Sequence, residues 1–199
     1  MFITRINYAK LKSVKYILLI KIKPKAAMKN VLLISSILFL YIGRIEAQKN
    51  DVLTRVPYTL KMIVDDSTFY EEKINAVPYI FPNRSLQMYP GEKIFLEVEL
   101  KNNEIADMKP VKENENPSRT LILEFIQHTE NNVHKRMSLV VTNPFPSTLT
   151  YKAKIFPLSV KNWVSTSIYP VSPGLLGIEL WPDLITSIAL GDWKFKAEK

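Results

Sequence analysis

The chain has 199 residues, no cysteine, two histidines, and 27 Lys or Arg against 19 Asp or Glu, a formal net charge of +8. The absence of cysteine excludes thiol nucleophiles, Cys-ligated zinc, iron–sulfur clusters and lipid attachment through a thiol. A charge of +8 points first to nucleic acid or anionic lipid, and its distribution along the chain withdraws that reading.

Residues 1–27 carry Arg5, Lys10, Lys12, Lys15, Lys21, Lys23 and Lys25 and no acidic residue. They read as an extension upstream of a start at Met28, or as an extended n-region. Val31 to Ile42 (VLLISSILFLYI) is a twelve-residue apolar run broken only by two serines. About 20 apolar residues are needed to cross a bilayer, whereas 10 to 14 suit a signal-peptide h-region. Lys29 supplies a positive n-region, and Gly43 to Ala47 supplies a short polar stretch ending in a small residue. Ile45, at the third position before the cut, is larger than the usual alanine. A membrane anchor and a buried core helix are the competing readings of the same run. The expectation is a helical signal peptide over 28–47, removed on export to the periplasm or beyond, with no stable membrane span afterwards. Residues 1–47 hold nine Lys or Arg and a single acid, Glu46, which leaves 18 basic and 18 acidic residues in 48–199. The basic excess belongs to the leader, so no nucleic-acid partner is expected.

The remaining 152 residues (199 less 47) fit one domain, long enough to bury about 68–70% of the unfolded surface without a disulfide or metal staple. Their dominant period is two, the mark of strands with one wet face. VPYTLKMIV (56–64) puts Val56, Tyr58, Leu60, Met62 and Val64 together. KIFLEVELK (93–101) puts Ile94, Leu96, Val98 and Leu100 opposite Phe95, Glu97 and Glu99. The polar stretch 102–118 reads as a long crossover between sheets. RTLILEFIQ (119–127) and KRMSLVVT (135–142) are apolar on both sides, as central strands are. LTYKAKIF (149–156) alternates again, and Trp163–Tyr169, Leu175–Trp181 and Ser187–Lys196 follow. In the last, Ile188 and Leu190 share a parity opposite to that of Trp193 and Phe195. A bulge at Gly191-Asp192 would bring all four to the core. Breakers fall between these runs, among them Pro90-Gly91, Asn102-Asn103, Asn131-Asn132, Asn143-Pro144 and Pro173-Gly174. Helical signal is confined to short turns near Asp66–Lys73 and Asp183–Ser187. The pattern predicts an all-β domain over 48–199, an antiparallel sandwich or barrel of about seven to nine strands.

Two stretches carry a family likeness. YPGEKIFLEVEL (89–100), followed by VVTNPFPSTLTYKAKIF (140–156), resembles the immunoglobulin-like β-sandwich domains of exported bacterial proteins. TSIYPVSPGLLGIELWPDLITSIALGDWKF (166–195) resembles a group of small exported proteins of unassigned function. The likeness implies an antiparallel immunoglobulin-like β-sandwich; the Cys…Trp…Cys framework of antibody domains is missing. It carries over no functional residue, since a fold does not imply a function.

Chemistry-bearing motifs are few. His128 and His134 flank an Asn131-Asn132 turn. A two-residue loop pairs Thr129 with His134 and sends the histidines to opposite faces, as solvent-facing side chains. A three-residue loop would make them partners able to share a metal with Glu130. The first suits Asn-Asn better, so no metal site is expected. Glu97, Glu99 and Glu124 read as a solvated sheet face with lysine partners such as Lys152 and Lys154. No G-x-S-x-G, H-E-x-x-H, Walker A or G-x-G-x-x-G occurs. Asn83-Arg84-Ser85 is a formal glycosylation sequon. The candidate binding surface is aromatic: Tyr79, Tyr89, Trp163, Tyr169 and Trp181, near prolines or strand ends, where they either pack the ends of the sandwich or meet a ligand. The leading expectation is a monomeric, non-catalytic exported domain with no cofactor, binding a protein partner in the cell envelope, with an edge strand as one means of doing so. The alternatives are a carbohydrate-binding module built on coplanar aromatics, and a secreted hydrolase using Glu124 or Glu179.

Overall fold

The computed structural model describes residues 53–197, which are all-β apart from one 3-10 turn at Pro117–Arg119. The extension 1–27 and the signal peptide expected at 28–47 lie outside the described residues. Among the described residues there are eleven strands: β1 (Tyr58–Ile63), β2 (Phe69–Ile74), β3 (Leu86–Met88), β4 (Lys93–Lys101), β5 (Glu104–Val111), β6 (Thr120–Glu130), β7 (Val133–Thr142), β8 (Ser147–Pro157), β9 (Val164–Thr166), β10 (Leu176–Trp181) and β11 (Ile185–Ala197). They form a five-stranded sheet ordered β10-β7-β6-β4-β5, a four-stranded sheet ordered β3-β11-β8-β9 and the hairpin β1-β2. Neighbouring strands pair antiparallel throughout. The arrangement is that of a β-sandwich and not of a closed barrel.

The alternating strands place their apolar residues as the period demands. Ile94, Leu96 and Val98 of β4 are buried, as are Leu149, Tyr151, Ala153 and Ile155 of β8. With the inward residues of the other strands they join a single hydrophobic cluster drawn from both large sheets, each such side chain contributing about 1.5–3 kcal/mol on burial. β6 and β7 lie inside the five-stranded sheet, the central place their composition demands. In β11 the register shifts between Gly191 and Lys194, and Asp192 takes φ +53°. That bulge brings Ile188, Leu190, Trp193 and Phe195 together into the core. Trp193 stacks on Tyr151 at 5.1 Å, and Phe195 tilts against Phe145 at 4.6 Å.

Three strands escape the sequence pattern. The stretch 102–118 is no crossover. Asn102 and Asn103, at φ +55° and +63°, make a two-residue hairpin turn, and β5 returns along β4. Its Glu104, Asp107 and Lys109 hide a strand that buries Met108 and Pro110 and packs Ile105 partly against the core. β2, rich in Glu71, Glu72 and Lys73, replaces the helical turn expected near Asp66–Lys73 and is held by pairing with β1. β3 has only three residues, too few for a period to show. These account for the excess over the expected strand count.

Turn chemistry sets the hairpins. Asn131 and Asn132, at φ +50° and +57°, connect β6 to β7 with Thr129 opposite His134. Positive φ at both central residues is the type I′ geometry whose twist matches that of the strands. At the next turn the buried Asn143 donates from Nδ2 to Ser147 O at 2.9 Å and Val171 O at 3.0 Å, while its Oδ1 accepts from the Phe145 N–H. One amide thereby ties β7, β8 and the segment leading into β10 together.

Candidate functional site

The structure does not gather the five candidate aromatics on one surface. Tyr79 and Tyr89 flank the Arg55 guanidinium, with ring centroids at 4.2 and 5.2 Å. Trp163 meets Phe156 edge-on at 5.4 Å. Tyr169 is 80% exposed, and its backbone N–H donates to Glu179 Oε1 at 2.7 Å. Trp181 is buried, its Nε1–H donating to Thr166 Oγ1 at 3.1 Å. The expectation of Trp181 as a surface contact is corrected: its position in β10 faces the core, where the ring closes the gap to β9.

The polar residues are corrected in the same way. His128 and His134 lie on opposite faces, but neither is simply solvent-facing. His128 Nε2 is 2.7 Å from Ser138 Oγ; His134 reaches Gln127 Nε2 through Nδ1 and Pro182 O through Nε2. Glu97 is paired with Arg119 at 2.8 Å and Glu124 with Lys93 at 3.1 Å, not with Lys152 or Lys154. Lys152 instead meets Asp192 of the bulge at 2.9 Å. A shallow open groove of about 510 Å³ lies beside this bulge, with Arg84, Glu104, Asp192 and Lys194 in its lining. Neither Glu124 nor Glu179 lines it.

The densest polar cluster centres on Arg55, a residue with no local signal in the sequence. It is buried at 2% exposure and uses its whole fork. Nε and Nη2 donate to the two oxygens of Glu92, Nη1 to Pro78 O, and Nη2 also to Gln87 O. Glu92 further accepts the Tyr89 N–H at 2.9 Å. Burial first, then the Glu92 carboxylate, pushes the Tyr58 phenol up well beyond its ordinary value. Burial likewise raises Tyr79 and Tyr89, against the lowering effect of Arg55. Each guanidinium nitrogen and both carboxylate oxygens have a protein partner, so the cluster acts as a lock on the segment preceding β1.

The sheet edges differ in a way that bears on function. An edge strand presents unpaired N–H and C=O groups, and proteins blunt such edges with short strands, proline, charge, bulges or covering loops. β3 and β9 have three residues each. β5 carries Pro110 and a bulge against β4, and Arg84 donates to its Ile105 and Ala106 carbonyls at 2.9 and 3.4 Å. Among the described residues β10 has one of these devices, the charge of Glu179, which lies on the Trp181 side of the strand and accepts the Tyr169 N–H. Its six residues, Leu-Gly-Ile-Glu-Leu-Trp, contain no proline and no basic residue and pair with β7 alone in the sheet. Leu176, Ile178 and Leu180 all face outward, at 57%, 56% and 56% exposure. Beside them on β7 stand Thr142, Val140 and Ser138, none of them charged. Alternation in β10 therefore serves two faces: Trp181 fills the core and three aliphatic side chains are left in water.

No family model matches the chain, no curated protein is similar to it, and no solved structure matches its fold.

Proposed function

We propose that the chain is an exported, non-catalytic binding domain of immunoglobulin-like type that engages a protein partner by strand addition at β10. The observation that carries this reading is the β10 edge, which among the described residues has Glu179 as its one charge and a row of exposed Leu176, Ile178 and Leu180. A strand added there would satisfy the free backbone groups and cover the aliphatic row, giving main-chain affinity and side-chain specificity together. The leader at 28–47 supports export, because its apolar run has signal-peptide length and a small residue at its end. The glycan reading is weakened by the burial of Trp181 and by the separation of Tyr79 and Tyr89 from the other aromatics.

The test is capture from an envelope extract by the tagged protein, compared with Ile178→Lys and Tyr169→Ala. Ile178→Lys, a solvent-facing change, is expected to keep the fold by circular dichroism and to lose the captured partner. Tyr169→Ala is expected to retain it. Loss in Tyr169→Ala with retention in Ile178→Lys, accompanied by glycan-array binding, would transfer the site to the aromatic edge and overturn the reading.

A further inference from the structure

We infer that the strand added at β10 comes from a second copy of this chain, β10 pairing with β10 antiparallel about a two-fold axis through Ile178. This rests on the strand-addition reading and names its partner. A two-fold interface must be self-complementary, each residue meeting its counterpart in mirrored order, and the sequence Leu176-Gly177-Ile178-Glu179-Leu180 has that property. Centred on Ile178, the register sets Leu176 against Leu180, Ile178 against Ile178 and Gly177 against Glu179. Six aliphatic side chains then meet on the outer face, flanked by the uncharged Thr142, Val140 and Ser138 of each β7. Directly opposed aliphatic pairs are the favourable unit of sheet association.

Charge selects the same register. A pairing centred on Glu179 would set two carboxylates directly opposite each other, which is unfavourable. Centring on Ile178 gives each Glu179 a glycine as its neighbour. Gly177 in turn has a reason to be glycine in the single chain: a Cβ there would lie 2.7 Å from Val171 Cγ2. Residues 48–199 balance 18 basic against 18 acidic side chains, so no net charge drives two copies apart. The joined sheet would have ten strands, with the guarded β5 edges outermost. A five-residue ladder over 176–180 and its aliphatic row form a small interface, at the low end of specific association, so a reversible, concentration-dependent dimer is expected.

The chain has no cysteine, and single cysteines therefore report the register cleanly. In the protein expressed from its full-length sequence, Ile178→Cys is expected to give a disulfide-linked dimer on mild oxidation, since residues opposed in a ladder lie within disulfide reach. Leu176→Cys and Leu180→Cys are each expected to stay largely unlinked, and their mixture to link. Sedimentation should show a concentration-dependent dimer in the parent and a monomer in Ile178→Lys. A monomeric parent with no Ile178→Cys linkage overturns the second-copy proposal. If Ile178→Lys still abolishes capture of an envelope protein in that case, strand addition stands with a different partner; if it does not, both readings fall. Linkage through Leu176→Cys alone overturns the register.

Discussion

Arg55 and Glu92 stand 37 residues apart in sequence and meet at 2.6 Å, with 1% and 11% of their side chains exposed. The pair joins the segment before β1 to the turn that opens β4, and Tyr79 and Tyr89 close over the guanidinium. Breaking a buried pair leaves a charge with neither water nor partner, at a cost of about 3–5 kcal/mol. Arg55→Ala is expected to lose that much by urea denaturation. Arg55→Met combined with Glu92→Leu is expected to recover most of it, because two apolar side chains leave no orphaned charge. A double variant no better than Arg55→Ala would show that the hydrogen bonds to Pro78 and Gln87 outweigh the ion pair.

The Asp192 bulge sets which face of β11 carries Trp193 and Phe195. Deleting Asp192 moves both aromatics to the solvent side, since a one-residue slip reverses every side chain beyond it. The deletion is expected to abolish cooperative unfolding and bind a hydrophobic dye. Asp192→Gly keeps the residue count and suits the positive φ. It gives up only a solvent-exposed ion pair with Lys152, which water and salt screen, and is expected to leave the melting temperature nearly unchanged.

Arg84 covers the β5 edge from a backbone at φ +61°. Arg84→Gly removes the cover and accepts the same backbone angle without a steric cost. The Trp193 indole Nε1–H donates at 2.9 Å to the residue 84 carbonyl, so the bond uses no side-chain atom of residue 84 and survives. Melting temperature is expected to move little, while light scattering at high protein concentration rises, as for an uncovered edge. Unchanged scattering would show that Pro110 and the bulge guard the edge without Arg84.

Tyr70 provides a pH signature. Burial, followed by its 2.7 Å hydrogen bond to Glu72 and the charge of that carboxylate, pushes the phenol from 10.0 to about 12. A raised value in the folded state means that the proton is held more tightly there. The stabilisation is therefore fully present below pH 10.0 and is lost as pH rises through about 12. Phenolate absorbance of the parent minus Tyr70→Phe should show one tyrosine titrating near the upper value; a midpoint at 10.0 would show that neither the burial of the phenol nor its Glu72 contact persists in solution.

Short-range chemistry was legible from the residues alone. The period-two runs of β4, β6, β7 and β8, the Asn131-Asn132 turn and the Gly191-Asp192 bulge each rest on neighbours a few positions apart, where backbone sterics and alternation act. β2 and β5 were not legible, because their charged residues obscure the alternation and their strand state comes from pairing with β1 and β4. Arg55 carries no local signal for a related reason: its partners come from residues 78, 87, 89 and 92, brought together only by folding. The aromatic site divided along the same line, Trp181 turning inward and Tyr169 outward although both sit near prolines. Above all, the row Leu176, Ile178, Leu180 reads along the chain as one more core strand. Which of its two alternating rows meets the core is a long-range property: the fold turns Gly177, Glu179 and Trp181 inward and so leaves that aliphatic row as a surface, at a sheet edge.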